Sequence, residues 1–446
     1  MSTSSAPERS PSPSSPSPQS PSPSPSSPSS PSLSPVRCVE EGEFDAWARM
    51  IADTYGADRS AAELADQRAA TDLGRTSAVF DGGVPVAGAS VYPRVLTVPG
   101  GTLPVAGVAS VGVAPTHRRR GLLTAMMRAQ LNDVYERGLE PVAVLRPSEA
   151  GIYGRYGYGP ATLGNQLRID RRAVRFRDGT GFGTGTVRLR PAEEARGRVE
   201  EVYDRARLAT TGWPDRQAVH WAVRLADHPH RRGGATSLRY AVHEEADGAA
   251  SGYALYRHTS VPDGAGGADP VVEVVELAAL SRPAYAALWR FLAGIDLVSR
   301  LGYEGAVDEV LPWLLEDPRA VRSAPVDRLW VRLVDVGRAL AGRSYAVPLD
   351  VVLEVRDAFC PWNAGRHRLR ADGDGVAVCE PTTAPADLRL DVAELGAAFL
   401  GGTTLAALGA AGRVEELRPG ALARASAAFR GDREPWYPGG WAFPLY

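Results

Sequence analysis

The chain has 446 residues, 44% hydrophobic and 23% charged, with 50 basic against 52 acidic side chains and a formal net charge of −2. Such a length exceeds one ordinary core and implies roughly three domains. The balanced charge excludes a global field for nucleic acid or an anionic membrane, so any basic site must be local.

Residues 1–35 are Ser or Pro at all but seven positions. A tract with no apolar surface to offset its ordering entropy predicts a disordered tail, and it lacks the basic start and apolar run of a signal peptide. Next, "FDAWARMIADTYG" predicts a helix from the spacing of Phe44, Trp47, Met50 and Ile51, with Gly56 as a stop. "TSAVF" and "VPVAGASVYPRVLTV" predict strands joined by "DGG", and "LPVAGVASVGV" is the following strand. "RGLLTAMMRAQLNDVYERG" predicts a helix closed by Gly138, with Leu123, Met127, Leu131 and Val134 as its core stripe. With the strand "PVAVLR" this makes a βαβ-like unit in a mixed sheet.

Across roughly residues 186–336 the order of strand then helix recurs. "SLRYAVHEE" and "SGYALYRH" flank a Gly/Ala turn, and "VVEVVELAAL" leads into "RPAYAALWRFLAGI" through "LSRP". That connection has no glycine and one arginine, which fits a diverged duplicate without an anion site. The last region predicts a strand in "VPLDVVLEVRD", a strand pair around "GVAVCE" and "LRLDV", and helices in "AELGAAFLGG" and "ALARASAAFR". The final "PWYPGGWAFPLY" is aromatic and uncharged, which predicts a packed rather than a free end.

No later stretch approaches 18 uninterrupted apolar residues, so no membrane span is expected. Cys38, Cys360 and Cys379 form no metal or disulfide spacing, so neither zinc nor a disulfide framework is indicated and a reducing, cytoplasmic setting is expected. No lysine occurs; every basic residue is arginine.

The chemistry concentrates in "SVGVAPTHRRRGLLTAMM". Where a strand feeds a helix, the first helical N–H groups have no intrahelical partner and the macrodipole places positive charge there, so anions bind. Arg118, Arg119 and Arg120 add formal charge, Gly121 lacks a Cβ that would block phosphate oxygens, and Thr116 is a candidate cap. His117 reads as structural, with no carboxylate partner in sequence terms.

The triplet matches the R-x-x-G pattern of GNAT N-acetyltransferases, with Leu123 where the pattern usually ends in Gly or Ala. "ASVGVAPTHRRRGLLTAMM" followed by "PSEAGIYGRYGYGPAT" closely resembles the Eis (enhanced intracellular survival) family of acetyltransferases. The resemblance covers nearly everything after the tail. It implies an α/β (α+β) fold of tandem GNAT-like mixed-sheet domains followed by a sterol-carrier-protein-like α+β domain. The expected domains are an N-terminal GNAT domain over 36–180, a central GNAT-like domain without a cofactor site over 181–338, and the sterol-carrier-like domain over 339–446.

By the same resemblance the cosubstrate is acetyl-CoA. Val111, Gly112 and Val113 pair with its pantetheine arm. Arg119, Arg120, Gly121, Leu122, Leu123 and Thr124 wrap its pyrophosphate, Arg118 begins the pattern, and Ser148 and Glu149 lie along the cofactor. Tyr153 matches the family's general acid, whereas Tyr156 and Tyr158 read as packing. The family's proton acceptor is the C-terminal carboxylate, carried here by Tyr446. Acceptors resemble aminoglycosides, polyamines or lysine-bearing peptides, Asp53, Asp58 and Glu434 are acidic candidates near the pocket by position alone, and the assembly is a homohexamer. The rival reading is an inert lipid-binding or scaffold protein using the C-terminal domain. A nucleic-acid module is disfavoured, because no basic face interleaved with aromatic residues is present.

Overall fold

The computed structural model describes residues 33–262, 268–372 and 376–439. Helix α1 (Phe44–Thr54) buries Phe44, Trp47, Met50 and Ile51, the spacing that predicts it. Helix α2 (Ala61–Ala70) starts at a capping box: Ser60 accepts from the Glu63 N–H, and the Glu63 carboxylate accepts from the Ser60 N–H. Strands β1 (Thr76–Asp81) and β2 (Val84–Val98) form a hairpin, followed by β3 (Gly101–Val113), α3 (Leu122–Arg137), β4 (Val142–Leu145), the short α4 (Ala150–Tyr153) and β5 (Gly159–Pro160). The tail expected over 1–35 lies mostly outside the described residues, but its last residues are docked. Leu33 bridges Asp81, and the Phe80 N–H donates to the Ser34 hydroxyl at 2.9 Å.

The second unit runs through β6 (Leu163–Asp170), β7 (Thr186–Arg190), α5 (Ala192–Leu208), α6 (Ala218–Arg224), β8 (Arg239–Glu244), β9 (Ala250–Pro262), β10 (Ala268–Ala279), α7 (Arg282–Ala293), β11 (Arg300–Ala306), α8 (Leu311–Leu314), β12 (Val321–Asp327) and β13 (Trp330–Leu333). Its seven-stranded sheet is ordered β12-β6-β11-β10-β9-β8-β7, and the first sheet is ordered β1-β2-β3-β4-β13-β5. Sheet membership therefore departs from the expected boundaries at two strands. β6 falls within 36–180 yet lies in the second sheet, whereas β13 falls within 181–338 yet completes the first by pairing with β4 and β5.

The third unit holds α9 (Val336–Ala341), β14 (Leu349–Arg356), β15 (Gly365–Ala371), β16 (Ala377–Pro381), β17 (Leu388–Asp391), α10 (Val392–Ala398), α11 (Leu405–Ala410), β18 (Val414–Glu416) and α12 (Ala421–Phe429). Its sheet order is β16-β15-β14-β17-β18. The expected pairing of "GVAVCE" with "LRLDV" is incorrect, since β15 and β14 stand between them and β17 pairs in parallel with β14. Two strands of this unit were overlooked, the short β18 and β15, where arginines alternate with buried His367, Leu369 and Ala371. One apolar core joins the first and third units, running from Val105, Val142 and Val331 to Leu353, Leu395 and Phe399.

Candidate active site

Strand β3 pairs with β4 only at Val105, Ala106 and Gly107, then runs six residues further to Val113. Along that stretch its register against β2 shifts, with Ser110 and Val111 opposite Ala89 alone. Ser110 adopts φ 53°, a left-handed conformation that a non-glycine residue holds at a cost of about 1–2 kcal/mol. Beyond Gly107 the strands part, and the hydroxyl of Tyr55 donates to the Val111 carbonyl at 2.8 Å.

The connection to α3 is a short 3₁₀ turn at Pro115–His117, then Arg118 in extended backbone, Arg119 at φ 62° and Gly121 at φ 79°. The first intrahelical bond runs from the Ala125 N–H to the Gly121 carbonyl at 3.0 Å, so the amides of Leu122, Leu123 and Thr124 precede the ladder. No side chain caps this end. Thr116, the candidate cap, instead bonds the His117 Nδ1 at 2.8 Å, and His117 does have a carboxylate partner: its Nε2 lies 3.0 Å from Asp81 Oδ2. Asp81 ends β1, 36 residues earlier, and only the hairpin brings it to the turn.

A cavity of about 560 Å³ opens between the parted strands and this turn. It is lined by Val111, Gly112, Val113, Arg118, Arg119, Gly121, Leu122, Leu123, Thr124, Ser148, Glu149 and Tyr153, so among the described residues every site residue read from the sequence converges here except Arg120. Arg120 points elsewhere and donates to the Thr116 carbonyl at 3.3 Å, bracing the turn, while Arg118 reaches the cavity. Of the helical stripe, Met127, Leu131 and Val134 are fully buried, as is Met126 beside them, whereas Leu123 is partly exposed and lines the cavity. Thr54, Tyr55, His117, Ile152, Arg155 and Tyr156 also line it and were not foreseen. The Tyr55 and Tyr156 contacts are long-range and carry no local sequence signal.

Tyr153 closes α4 with 5% of its surface exposed, its ring edge-on to Tyr158 at 6.0 Å. Tyr158 packs as expected, its buried hydroxyl unpartnered, and burial pushes its phenol well above the ordinary range. Tyr156 does more than pack, since its hydroxyl meets that of Thr124 at 3.2 Å. Asp53 is exposed on α1, the Asp58 carbonyl accepts from Arg231 at 3.1 Å, and Glu434 pairs with Arg430 at 2.8 Å; none of the three lines the cavity. Tyr446 lies outside the described residues, as do Trp441, Phe443 and Leu445. Before that point the chain is held by Trp436, buried in the core of the second unit, by Tyr437, buried in the core shared by the first and third units, and by Gly439, whose carbonyl accepts from Arg216 at 3.1 Å.

In the central unit, the counterpart helix α7 is capped by its own Ser281, whose hydroxyl accepts from the Ala284 N–H at 3.3 Å. That cap takes up one of the free amides at this end, where α3 has no such cap.

Residues 35–161 and 212–333 each match an acetyltransferase (GNAT) domain family, and residues 336–438 match a sterol carrier protein domain. Parted strands, a glycine turn at a helix N-terminus and this domain order define the chain as a GNAT-type N-acetyltransferase. It is similar to an uncharacterized N-acetyltransferase of Streptomyces coelicolor, 45% identical over 415 residues that cover 91% of this chain and 98% of that one. N-acetyltransferase Eis of Mycobacterium tuberculosis is 39% identical over 368 residues, covering 79% of this chain and 86% of its own length. The crystal structure of Eis1 from Mycobacterium abscessus superimposes with a TM-score of 0.79 at 34% identity, covering 90% of this chain and 99% of that one. The chain belongs to the Eis family of N-acetyltransferases.

Proposed function

We propose that the protein transfers the acetyl group of acetyl-CoA to a primary amine, with aminoglycoside-, polyamine- or lysine-like acceptors. The observation that supports this reading most directly is the meeting, in one cavity, of an uncapped helix N-terminus, two arginines and a buried phenol. A pyrophosphate suits that turn: three amides precede the helical ladder, Arg118 and Arg119 supply formal charge, and a Cβ built on Gly121 would meet nothing within 4 Å, so the space above it is open. The exposed edge of β3 beyond Gly107 offers backbone to an extended pantetheine arm.

The amine must be neutral to attack, yet its pKa of about 10 keeps it protonated near neutral pH. The proton acceptor in this proposal is the carboxylate carried by Tyr446, acting through water or by stabilising the forming cation, because a carboxylate with a pKa of about 3.5 is a weak base. Tyr153 gives its phenolic proton to the departing thiolate, whose own pKa is slightly lower. A cytoplasmic homohexamer belongs to the same proposal.

The testing experiment is an acceptor screen with acetyl-CoA, following free thiol release over polyamines, aminoglycosides and basic peptides. Turnover with at least one amine class is expected. Zero release with every amine, together with binding of an apolar ligand by the C-terminal unit, would establish the scaffold reading instead.

A further inference from the structure

The central unit repeats the strand geometry of the first. β10 pairs in parallel with β11 at Val271–Val274 against residues 300–303, shifts register against β9 between Val274 and Glu276, and runs on to Ala279. This is how β3 leaves β4 after Gly107. In the first unit the parting strands open the candidate active site. In the central unit they receive Trp436, which shares one core with Ala278 of β10 and Ala306 of β11. Its ring stands edge-on to Tyr303 at 6.4 Å and to Trp213 at 5.9 Å.

The backbone is held as well as the ring. The Trp436 N–H donates to the Thr211 carbonyl at 3.1 Å. Gly212, at φ 96°, makes room beside it: a Cβ there would lie 2.5 Å from the Trp436 carbonyl oxygen. Three residues on, Arg216 donates to the Gly439 carbonyl at 3.1 Å. Arg216 is buried and pre-oriented, donating to both Glu276 oxygens at 2.9 and 2.7 Å, with its guanidinium 3.9 Å from the Tyr203 ring centre and 4.7 Å from that of Trp221. Arg224 and the Tyr253 hydroxyl complete the bonding of Glu276 at 3.0 and 2.6 Å. Between the two held points, Tyr437 feels the charge of Arg94 and of Arg146, the residue that follows β4 in the first unit.

We propose that the central unit is a clamp for the chain end: its parted-strand cleft, counterpart of the acetyl-donor cleft, seats Trp436, and Arg216 fixes Gly439, so that the chain beyond is delivered in one register. Arg216, Gly212 and Trp436 are positioning residues, remote from the donor turn. The inference rests on the role proposed above for the Tyr446 carboxylate. A guanidinium already locked by two bonds to a buried carboxylate cannot follow a sliding carbonyl, which is what a fixed register requires.

The test uses full-length protein carrying Gly212→Ala, Trp436→Ala or Trp436→Phe, beside a C-terminally extended chain. Arg216 itself is avoided, because removing it strands Glu276 without its main partner. Gly212→Ala and Trp436→Ala should lower kcat by about 10²-fold, leave the KM for acetyl-CoA within about twofold, and speed hydrogen exchange at residues 436–439, while Trp436→Phe restores most of the rate. Wild-type kcat in both variants, with faster exchange at 436–439, overturns the clamp; if the extended chain is then inactive, the carboxylate role stands without it. An extended chain at full rate removes the carboxylate role, and slow Gly212→Ala beside it keeps the clamp as a positioner of some other group. Should the variants fail to fold, exchange in the wild type decides: protection at 436–439 is required, and exchange as fast as in exposed loops overturns the proposal.

Discussion

Tyr153 sits in the first cavity with little surface exposed and its ring packed edge-on against Tyr158, so Tyr153→Phe keeps the packing and removes one proton. The expected result is a fall in kcat of roughly 10²-fold or more with acetyl-CoA affinity unchanged, the pattern of a lost general acid, read from steady-state kinetics and calorimetry. A kcat within about twofold of wild type would remove Tyr153 from that role. At the donor turn, Gly121→Val places a branched side chain at φ 79° in open cavity space, and Arg119→Glu reverses a charge beside it. Both should weaken acetyl-CoA binding in folded protein, as measured by titration calorimetry; unchanged affinity in both would place the pyrophosphate elsewhere.

Helix α6 carries a pH dependence that its sequence does not announce. Burial, reinforced by Arg94 and opposed by Asp215, holds the His220 imidazole down to about 4, and its Nδ1 accepts from the Gln217 N–H at 3.2 Å. The unfolded chain takes up this proton near pH 6.5, whereas the folded chain resists until about pH 4. Stability from this group is therefore complete above about pH 6.5 and declines as pH falls toward 4. His220→Gln should flatten the urea midpoint across that window, and an unchanged slope would assign it to other groups. Near the start of the chain, the docked residues move the end of the expected tail back from 35 to 32. Removing residues 1–32 should leave activity intact, but removal through Arg37 takes away the Leu33 and Arg37 bridges to β1 and the guanidinium 3.9 Å from the Phe80 ring centre. The longer deletion should lower the melting temperature in calorimetry, and equal melting of the two truncated proteins would show that these contacts contribute nothing.

At the scale of the whole molecule, the return of β13 to the first sheet ties the first two units into one folding problem. A fragment ending at residue 180 lacks β13, and so exposes β4, all four of whose residues are buried, as an open edge. It also carries β6 without its partners β11 and β12. Such a fragment should aggregate or melt without cooperativity, while the full chain melts cooperatively; circular dichroism and gel filtration compare them. A soluble, cooperatively melting fragment would show that β13 is dispensable to the first sheet.

What the sequence determined by itself is what periodicity and local chemistry dictate. The apolar spacing of α1 and α3, the hairpin of β1 and β2, and the strand, arginine turn and helix around Gly121 all lie within a few residues of one another. Of the twelve site residues that line one cavity, the local turn chemistry marks Arg118, Arg119 and Gly121, and the resemblance to the Eis family supplies the other nine. Tertiary structure alone decided the rest. His117 meets Asp81, Tyr156 reaches Thr124, and the Tyr55 hydroxyl reaches Val111 only after the sheet forms, because each pair is far apart in sequence. That Arg118 lines the cavity while Arg120 bonds back to the Thr116 carbonyl is likewise seen only in the folded turn. The short, fully buried β13 gives no periodic sign of which sheet it enters; its place is fixed by the two edges, β4 and β5, that would otherwise be left unpaired.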